Sequence, residues 1–274
     1  MHKVKISVIM AVYNCEDKIS EAIESILAQT YQDWSLIICD DCSTDDTHKI
    51  VLSYQQRYPN KIIALKNKIN SKLAYSLNHC LQYAEGEYIA RMDGDDISLP
   101  ERLEKQLEFL LTHPEYDVVS TAMIPFDENG EREPRISKEI PNKYDLLKNP
   151  CFNHATILMK KSVYDALNGY VVLPRTTRGQ DYDLWFRFFA AGYTGYNMTA
   201  ALYKVREGIG DLKRRTFKTR LQAAETALYG YRLLNYPLRY YIFAFKPIIA
   251  GIIPQRLMYM YHNMKFSVNS NKAE

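Results

Sequence analysis

Between Lys5 and Leu111 the sequence switches four times between two hydrophobic patterns. The runs KISVIMAVY, WSLIIC, KIIALK and EYIARM are short and nearly continuous in apolar residues, as strands covered on both faces are. Helical spacing comes after each run. Ile19, Ala22, Ile23, Ile26 and Leu27 share one face after the first, and STDDTHKIVLSYQQRY after the second offers Ser43 or Thr44 as N-cap with acids in its first turn. Leu73, Leu77, Leu81 and Ala84 come after the third run, and Leu103, Leu107, Leu110 and Leu111 after the fourth. This alternation predicts an α/β fold built on a mostly parallel, doubly wound sheet.

Ligands of such sheets bind in the crevice at the carboxyl ends of the strands. The polar residues that interrupt the pattern fall there: Tyr13 and Asn14 after the first strand, Asp40 and Asp41 after the second, and Asp93, Asp95 and Asp96 after the fourth. Three acids in four positions raise one another's pKa and destabilise a fold unless positive charge sits among them. Arg91, just before the acids, is one source of that charge, and a metal ion is another. Mg2+ or Mn2+ held by one or two carboxylates keeps its other positions for water and substrate phosphates. A calcium loop of the EF-hand type is excluded, because one starting at Asp93 has Ile97 at its fifth position and Ser98, not Gly, at its sixth. An acidic helix N-terminus accounts for Asp96 but not for Asp93 and Asp95 together.

Four blocks, ISVIMAVYN, IICDDCSTDDT, GEYIARMDGDD and RGQDYDLWFRFFAAGY, resemble in order and spacing the family-2 glycosyltransferases of the GT-A fold, over roughly Lys3 to Arg206. The resemblance implies a nucleotide-diphosphate sugar, with a UDP-sugar as expected donor, and a saccharide or lipid-linked acceptor. It assigns Asp40 and Tyr13 to the nucleotide base. It assigns Asp95 of the DXD-type motif Asp93-Gly94-Asp95 to Mn2+ or Mg2+ at the diphosphate, with Asp93 near the ribose or the metal. Asp181 becomes the catalytic base. Two departures stand out. The family's Glu-Asp pair reads Gln180-Asp181, and its NxGxxxARNxG-like segment reads NSKLAYSLNHC. There a Gly becomes Lys72 and an Arg becomes Leu77, so a basic contact to the nucleotide is either lost or supplied by Lys72.

The implied chemistry is self-consistent. A glycosidase needs a protonated carboxyl for its leaving oxygen as well as a second carboxylate. A nucleoside diphosphate needs no such proton when a divalent cation absorbs its charge. One base then suffices to deprotonate an acceptor hydroxyl as it attacks the anomeric carbon, and a single displacement inverts the configuration. By itself Asp181 also reads as an N-terminal helix acid. His154 reads as a satisfied core histidine or a site residue, Arg175 and Arg178 as anion contacts or loop ion pairs, and Trp185, Phe186, Phe188 and Phe189 as core.

Charge divides the chain. Lys213 to Lys265 holds ten Lys and Arg against one acid, Glu225, a local +9 that leaves −6 for the rest of the net +3. Residues 1–206 are expected to form the catalytic domain, with a nucleotide-binding half to about residue 133 and an acceptor half from 134, the polar loop Pro134 to Pro141 lying between. Residues 207–274 are expected to form a basic amphipathic helical region. Within it YYIFAFKPIIAGIIPQRLMYMYH, Tyr240 to His262, is interrupted by Lys246, Pro247, Pro254 and Arg256, well short of the roughly 20 apolar residues a spanning helix needs. The expectation is a cytoplasmic enzyme peripheral on an anionic membrane surface. Packing on the catalytic domain or in a homo-oligomer is the alternative, and no nucleic-acid partner is expected. Five cysteines, including a lone C-x-x-C at Cys39 and Cys42, indicate a reducing compartment and not a disulfide framework. A silent nucleotide-binding scaffold remains a competing reading. A nucleotide-sugar pyrophosphorylase is disfavoured because AVYNCED is not a glycine-rich phosphate loop.

Overall fold

The computed structural model describes residues 5–207 and 216–252. The expected strands are β1 (Ile6–Val12), β2 (Trp34–Asp40), β3 (Ile62–Lys66) and β4 (Tyr88–Asp93). The helices after them are α1 (Ile19–Leu27), α2 (Thr47–Arg57), α3 (Leu73–Leu81) and α4 (Arg102–Thr112). Helix α2 starts later than its candidate caps, with Asp46 at the cap position, because Ser43 turns inward to Asp40. The four strands run parallel in the order β3-β2-β1-β4.

Beyond β4 the sheet becomes mixed. It adds β5 (Ile97–Ser98), β6 (Val118–Asp127), β7 (Gly130–Glu131), β8 (Leu158–Lys160) and β9 (Gly195–Arg206). The short β8 lies antiparallel between β4 and β6, while β6 and β9 are parallel. Alternate residues of β1 enter opposite cores, Ile9 on one side and Val8 and Met10 on the other. That two-sided burial is why the run carries almost no polar residue. Registers Val12↔Asp40 and Ala11↔Asp93 bring the polar ends of β1, β2 and β4 to one edge. All five cysteines are free, and Pro134 to Pro141 is irregular chain with one bridge, Met123↔Arg135.

The remaining helices are α5 (Lys161–Ala166), α6 (Gln180–Ala190), α7 (Phe217–Leu233) and α8 (Lys246–Ile252), with a 3₁₀ segment at Leu238–Phe245. Trp185, Phe186 and Phe188 of α6 are buried, as expected of that aromatic run, and α7 joins the same core through Ala227 and Tyr231. Tyr236 and Ala244 are also buried in it. The described part of the basic region is therefore packed on the rest of the fold. No described helix is long and apolar enough to cross a membrane. Pro254, Arg256 and the rest of the stretch ending at His262 lie outside the described residues.

Docking of α7 turns on Gly230. A Cβ at that position would overlap the Phe186 ring, and Phe186 is fully enclosed. Gly230→Ala should therefore destabilise the protein by about 1–3 kcal/mol through overpacking, despite Ala's better helix propensity. The check is a lower denaturant midpoint in urea unfolding, and an unchanged or raised midpoint contradicts the tight α6–α7 contact.

Candidate functional site

The two neighbouring acids after β2 face different surroundings. Asp40 is fully buried. One of its oxygens accepts from the Ser43 N–H at 3.1 Å and from the Ser43 hydroxyl, and the other faces His48 Nδ1 at 3.7 Å and Lys66 Nζ at 3.6 Å. Asp41 accepts from Asn67 Nδ2 and from the Ser71 and Lys72 N–H groups, each at 2.8 Å, and so fixes the loop that opens α3. Asp41, Tyr13, Lys72, Arg178 and Gln180 line a cleft of about 590 Å³, and Asp40 is not among its lining residues. Tyr13, 48% exposed, stands over it. Of the residues read from the sequence, Tyr13 and Lys72 thus meet in one cleft, and the acid beside them is Asp41. The sequence displays both aspartates, but which one faces the cleft depends on the sheet.

The acid cluster rests on buried cations. Both oxygens of Asp93 engage Arg91, at 2.7 Å for the Nη1–Oδ2 pair, and Arg91 is 5% exposed. Arg102, fully buried, donates to the Arg91 carbonyl at 3.2 Å and lies 5.2 Å from the Tyr203 ring centre. Burial lowers its pKa to about 10. Asp96 accepts from the Arg206 N–H at 2.8 Å, and burial, with Asp93 and Asp95, pushes its carboxyl up to about 8. Gly94 allows the cluster to lie against β1, since a Cβ there would meet Val12 Cγ1 at 2.5 Å.

The Asp95 carboxylate accepts no hydrogen bond from another described residue, and burial followed by Asp93 raises its pKa. Among the described residues no group of three or more His, Cys, Asp or Glu could hold a metal. An uncommitted carboxylate nevertheless suits Mg2+ or Mn2+, which commonly takes one or two carboxylates and completes its shell with water and substrate phosphates. Asp95 fits that role. Asp93, committed to Arg91 through both oxygens, fits it only as a supporting group.

Asp181 lies in the first turn of α6 and is half-buried. Burial raises its pKa, the Tyr182 backbone and Arg91 lower it, and Asp93 raises it, so Asp181 is within electrostatic reach of the acid cluster. The turn is anchored by Asp183, fully buried between Arg175 Nη1 at 2.5 Å and Arg187 Nε at 2.7 Å. Arg175 is thereby an internal ion-pair partner, while Arg178 is exposed. A second cleft, of about 490 Å³, is lined by Asp181, Arg178, Lys148, Arg220 and Lys246 with apolar neighbours. The two clefts share Arg178, and the consecutive residues Gln180 and Asp181 face one each. His154 donates to or accepts from the Tyr170 hydroxyl at 2.9 Å and packs edge-on against Trp185. Burial, then Arg91, holds its pKa well below the usual value, as befits a neutral core histidine. Sequence reasoning did not single out Arg102 or the second cleft. The signal for the latter was the basic excess after residue 213.

The family model described as glycosyl transferase family 2 matches residues 7–167. The Bacillus subtilis protein EpsE, named as a glycosyltransferase, is 48% identical over 95% of this chain and 94% of its own. WfaP of Escherichia coli, named as a UDP-Glc:alpha-D-GlcNAc-diphosphoundecaprenol beta-1,3-glucosyltransferase, is 28% identical over 74% of this chain and 78% of its own. Among solved structures, S. aureus TarS 1-349 in complex with UDP-GlcNAc has a TM-score of 0.65 at 20% identity, over 82% of this chain and 66% of that one. This chain thus spans just under two thirds of the TarS chain. The Pyrobaculum calidifontis mannosyltransferase PcManGT, solved with GDP-Man and Mn2+, has a TM-score of 0.63 at 16% identity, over 97% of this chain and 81% of that one. These two likenesses establish the α/β architecture expected from the resemblance.

Lys72 carries a backbone cost that a side chain ordinarily avoids. Its φ of 72° and ψ of 165° fall in a region reached almost only by Gly, at about 1–3 kcal/mol for other residues. Lys72→Gly should therefore be more stable than Lys72→Ala, which keeps the strain, by about 1 kcal/mol or more. Urea midpoints of the two variants measure the difference, and equal midpoints contradict it.

Proposed function

The chain belongs to glycosyl transferase family 2, and from that premise we propose that it moves a sugar from a nucleotide-diphosphate sugar, a UDP-sugar by preference, to a hydroxyl of a saccharide or lipid-linked acceptor in glycan synthesis. The observation that carries the reading is the meeting of two clefts at Arg178 and the start of α6. One cleft carries an aromatic ring and a carboxylate suited to a base. The other opens on Asp181.

In this reading the donor's base lies against Tyr13, with Asp41 rather than Asp40 accepting its ring N–H. Three hydrogen bonds occupy the Asp41 carboxylate, and a carboxylate offers about four lone-pair sites. Lys72 lines the same cleft and supplies positive charge beside the diphosphate. Asp95, with Asp93 in support, would hold Mg2+ or Mn2+, which supplies charge neutralisation for the leaving diphosphate when bound. Arg91 fixes Asp93 through both of its oxygens. Asp181 takes the proton of the acceptor hydroxyl in a single inverting displacement, and its burial raises its basicity toward that task. Working at an anionic membrane on the cytoplasmic side is part of the proposal, supported by exposed Leu238, Ile242 and Ile249 beside Arg239 and Lys246.

Asp181→Asn should cut transfer by about 10²–10⁴-fold while leaving UDP binding by calorimetry intact. It should also raise stability at neutral pH. A carboxyl whose folded pKa lies above its unfolded value lowers stability as pH rises through that interval, and Asn removes the penalty. An active or a destabilised Asp181→Asn contradicts the assignment.

Discrimination between UDP and CDP tests the base contact. Cytosine has no N3 proton to donate and leaves the Asp41 carboxylate unmatched, which should weaken CDP by about 10–100-fold. That ratio should collapse in Asp41→Asn and persist in Asp40→Asn. Equal wild-type affinities, or a collapse only at Asp40, contradicts the choice of Asp41.

A further inference from the structure

Asp183 has more buried positive charge around it than its own neutralisation requires. It is fully enclosed, and its two oxygens take two guanidiniums, Arg187 Nε at 2.7 Å and Arg175 Nη1 at 2.5 Å. Arg187 stands one turn along α6 and already balances the carboxylate, while its other nitrogens donate to the Leu167 and Gly169 carbonyls at 2.7 and 3.0 Å. Arg175, only 8% exposed, is therefore a surplus cation, and a buried charge without its own counter-ion costs stability. An aromatic face meets the surplus. The Arg175 guanidinium carbon lies 4.1 Å from the Tyr229 ring centre, within range of cation–π attraction. The main chain of the same residue is held as well, because the Thr226 hydroxyl donates to the Arg175 carbonyl at 2.9 Å. Thr226 and Tyr229, three residues apart, share one face of α7.

Helix α7 thus holds Arg175 by its backbone and by its side chain. Arg175 sits in the 3₁₀ turn Pro174–Thr176, and the chain runs from that turn straight into the start of α6. Thr177, Arg178 and Gln180 line the cleft of Tyr13, and Asp181 lines the second cleft. The N-cap of α6 is Gly179, with no side-chain cap bond, so this first turn lacks the usual local lock. Its position is set from outside. We infer that Arg175 is a positioning residue: held by Thr226 and Tyr229, it fixes the first turn of α6 through Asp183 and so aims the Asp181 carboxylate. The inference rests on Asp181 being the base. It gives α7 a part in the reaction that the charge of the basic region does not explain. A reacting group misplaced by about 1 Å can lose about 100-fold in rate, so a modest loosening of this grip should be visible in turnover.

The test uses the full chain with Mn2+ and whichever of UDP-glucose, UDP-galactose and UDP-N-acetylglucosamine the wild type hydrolyses fastest, water standing in for the acceptor hydroxyl. Tyr229→Leu, at a position 40% exposed, should lower kcat by about tenfold or more, with KM for the donor and UDP affinity by calorimetry unchanged. Tyr229→Phe keeps the ring and should turn over as the wild type does. Thr226→Val should lower kcat in the same way, and Thr226→Ser should restore it. Arg175→Lys keeps the charge but not the planar fork that spans Asp183 and the ring, and should match Tyr229→Leu. The deciding arm is the double variant Asp181→Asn/Tyr229→Leu, which should turn over as Asp181→Asn alone does, because residues that act as a unit are not additive. A Tyr229→Leu loss that multiplies the Asp181→Asn loss, or one that appears in KM and not in kcat, overturns the inference and leaves the base assignment standing. Failure of the base assignment has a different signature: Asp181→Asn hydrolyses the donor as fast as the wild type, and the inference falls with it.

Discussion

The Arg91–Asp93 pair is the constraint on which the site depends. It sits at the end of β4, where the sheet's apolar interior meets the crevice, and Arg91 is almost wholly enclosed. A buried guanidinium without a carboxylate is strongly unfavourable, and so is a cluster of carboxylates without a cation. Each resolves the other. Arg102 and Tyr203 stand behind the pair, Asp95 and Asp96 in front, and Asp181 feels both members. The pair therefore links the sheet to the acid proposed as base, and a change at either residue would be felt across the site.

Much of the N-terminal half was legible in the sequence because its signals are local. Period-two burial on both faces makes KISVIMAVY and WSLIIC nearly continuous in apolar residues, and helical spacing marks the segments after them. The polar residues at strand ends then fall on one edge, since parallel strands share their carboxyl side. The choice between Asp40 and Asp41 was not legible. Neighbouring residues at a strand end project to opposite sides, and which side is the cleft is decided by the loop of Asn67 to Lys72 folding back onto Asp41. The mixed half of the sheet was also hidden, because β8 is only three residues long and its place between β4 and β6 is set by distant pairing.

The C-terminal region shows the same limit more strongly. Its basic charge was plain in the sequence, but charge alone does not distinguish a membrane-facing tail from a docked helix. The contact that decides for α7 joins Gly230 to Phe186, residues far apart in sequence with no shared local pattern. Docking converts part of the basic excess from a surface property into the wall of a cleft. Exposed apolar residues remain along the 3₁₀ segment, so packing on the domain and contact with lipid are compatible roles for different faces of one region. Lys72, at a backbone conformation suited to Gly, is a further case of local rules yielding at a site.

The most direct test of the proposed single displacement at Asp181 is the stereochemistry of the sugar it releases. An α-linked UDP-sugar accepted by the wild-type protein is incubated with Mn2+, and the freed sugar is followed by proton NMR before mutarotation erases its origin. Attack by a hydroxyl or water deprotonated at Asp181 gives the β anomer first. First appearance of the α anomer would contradict the single displacement, and with it the role given to Asp181.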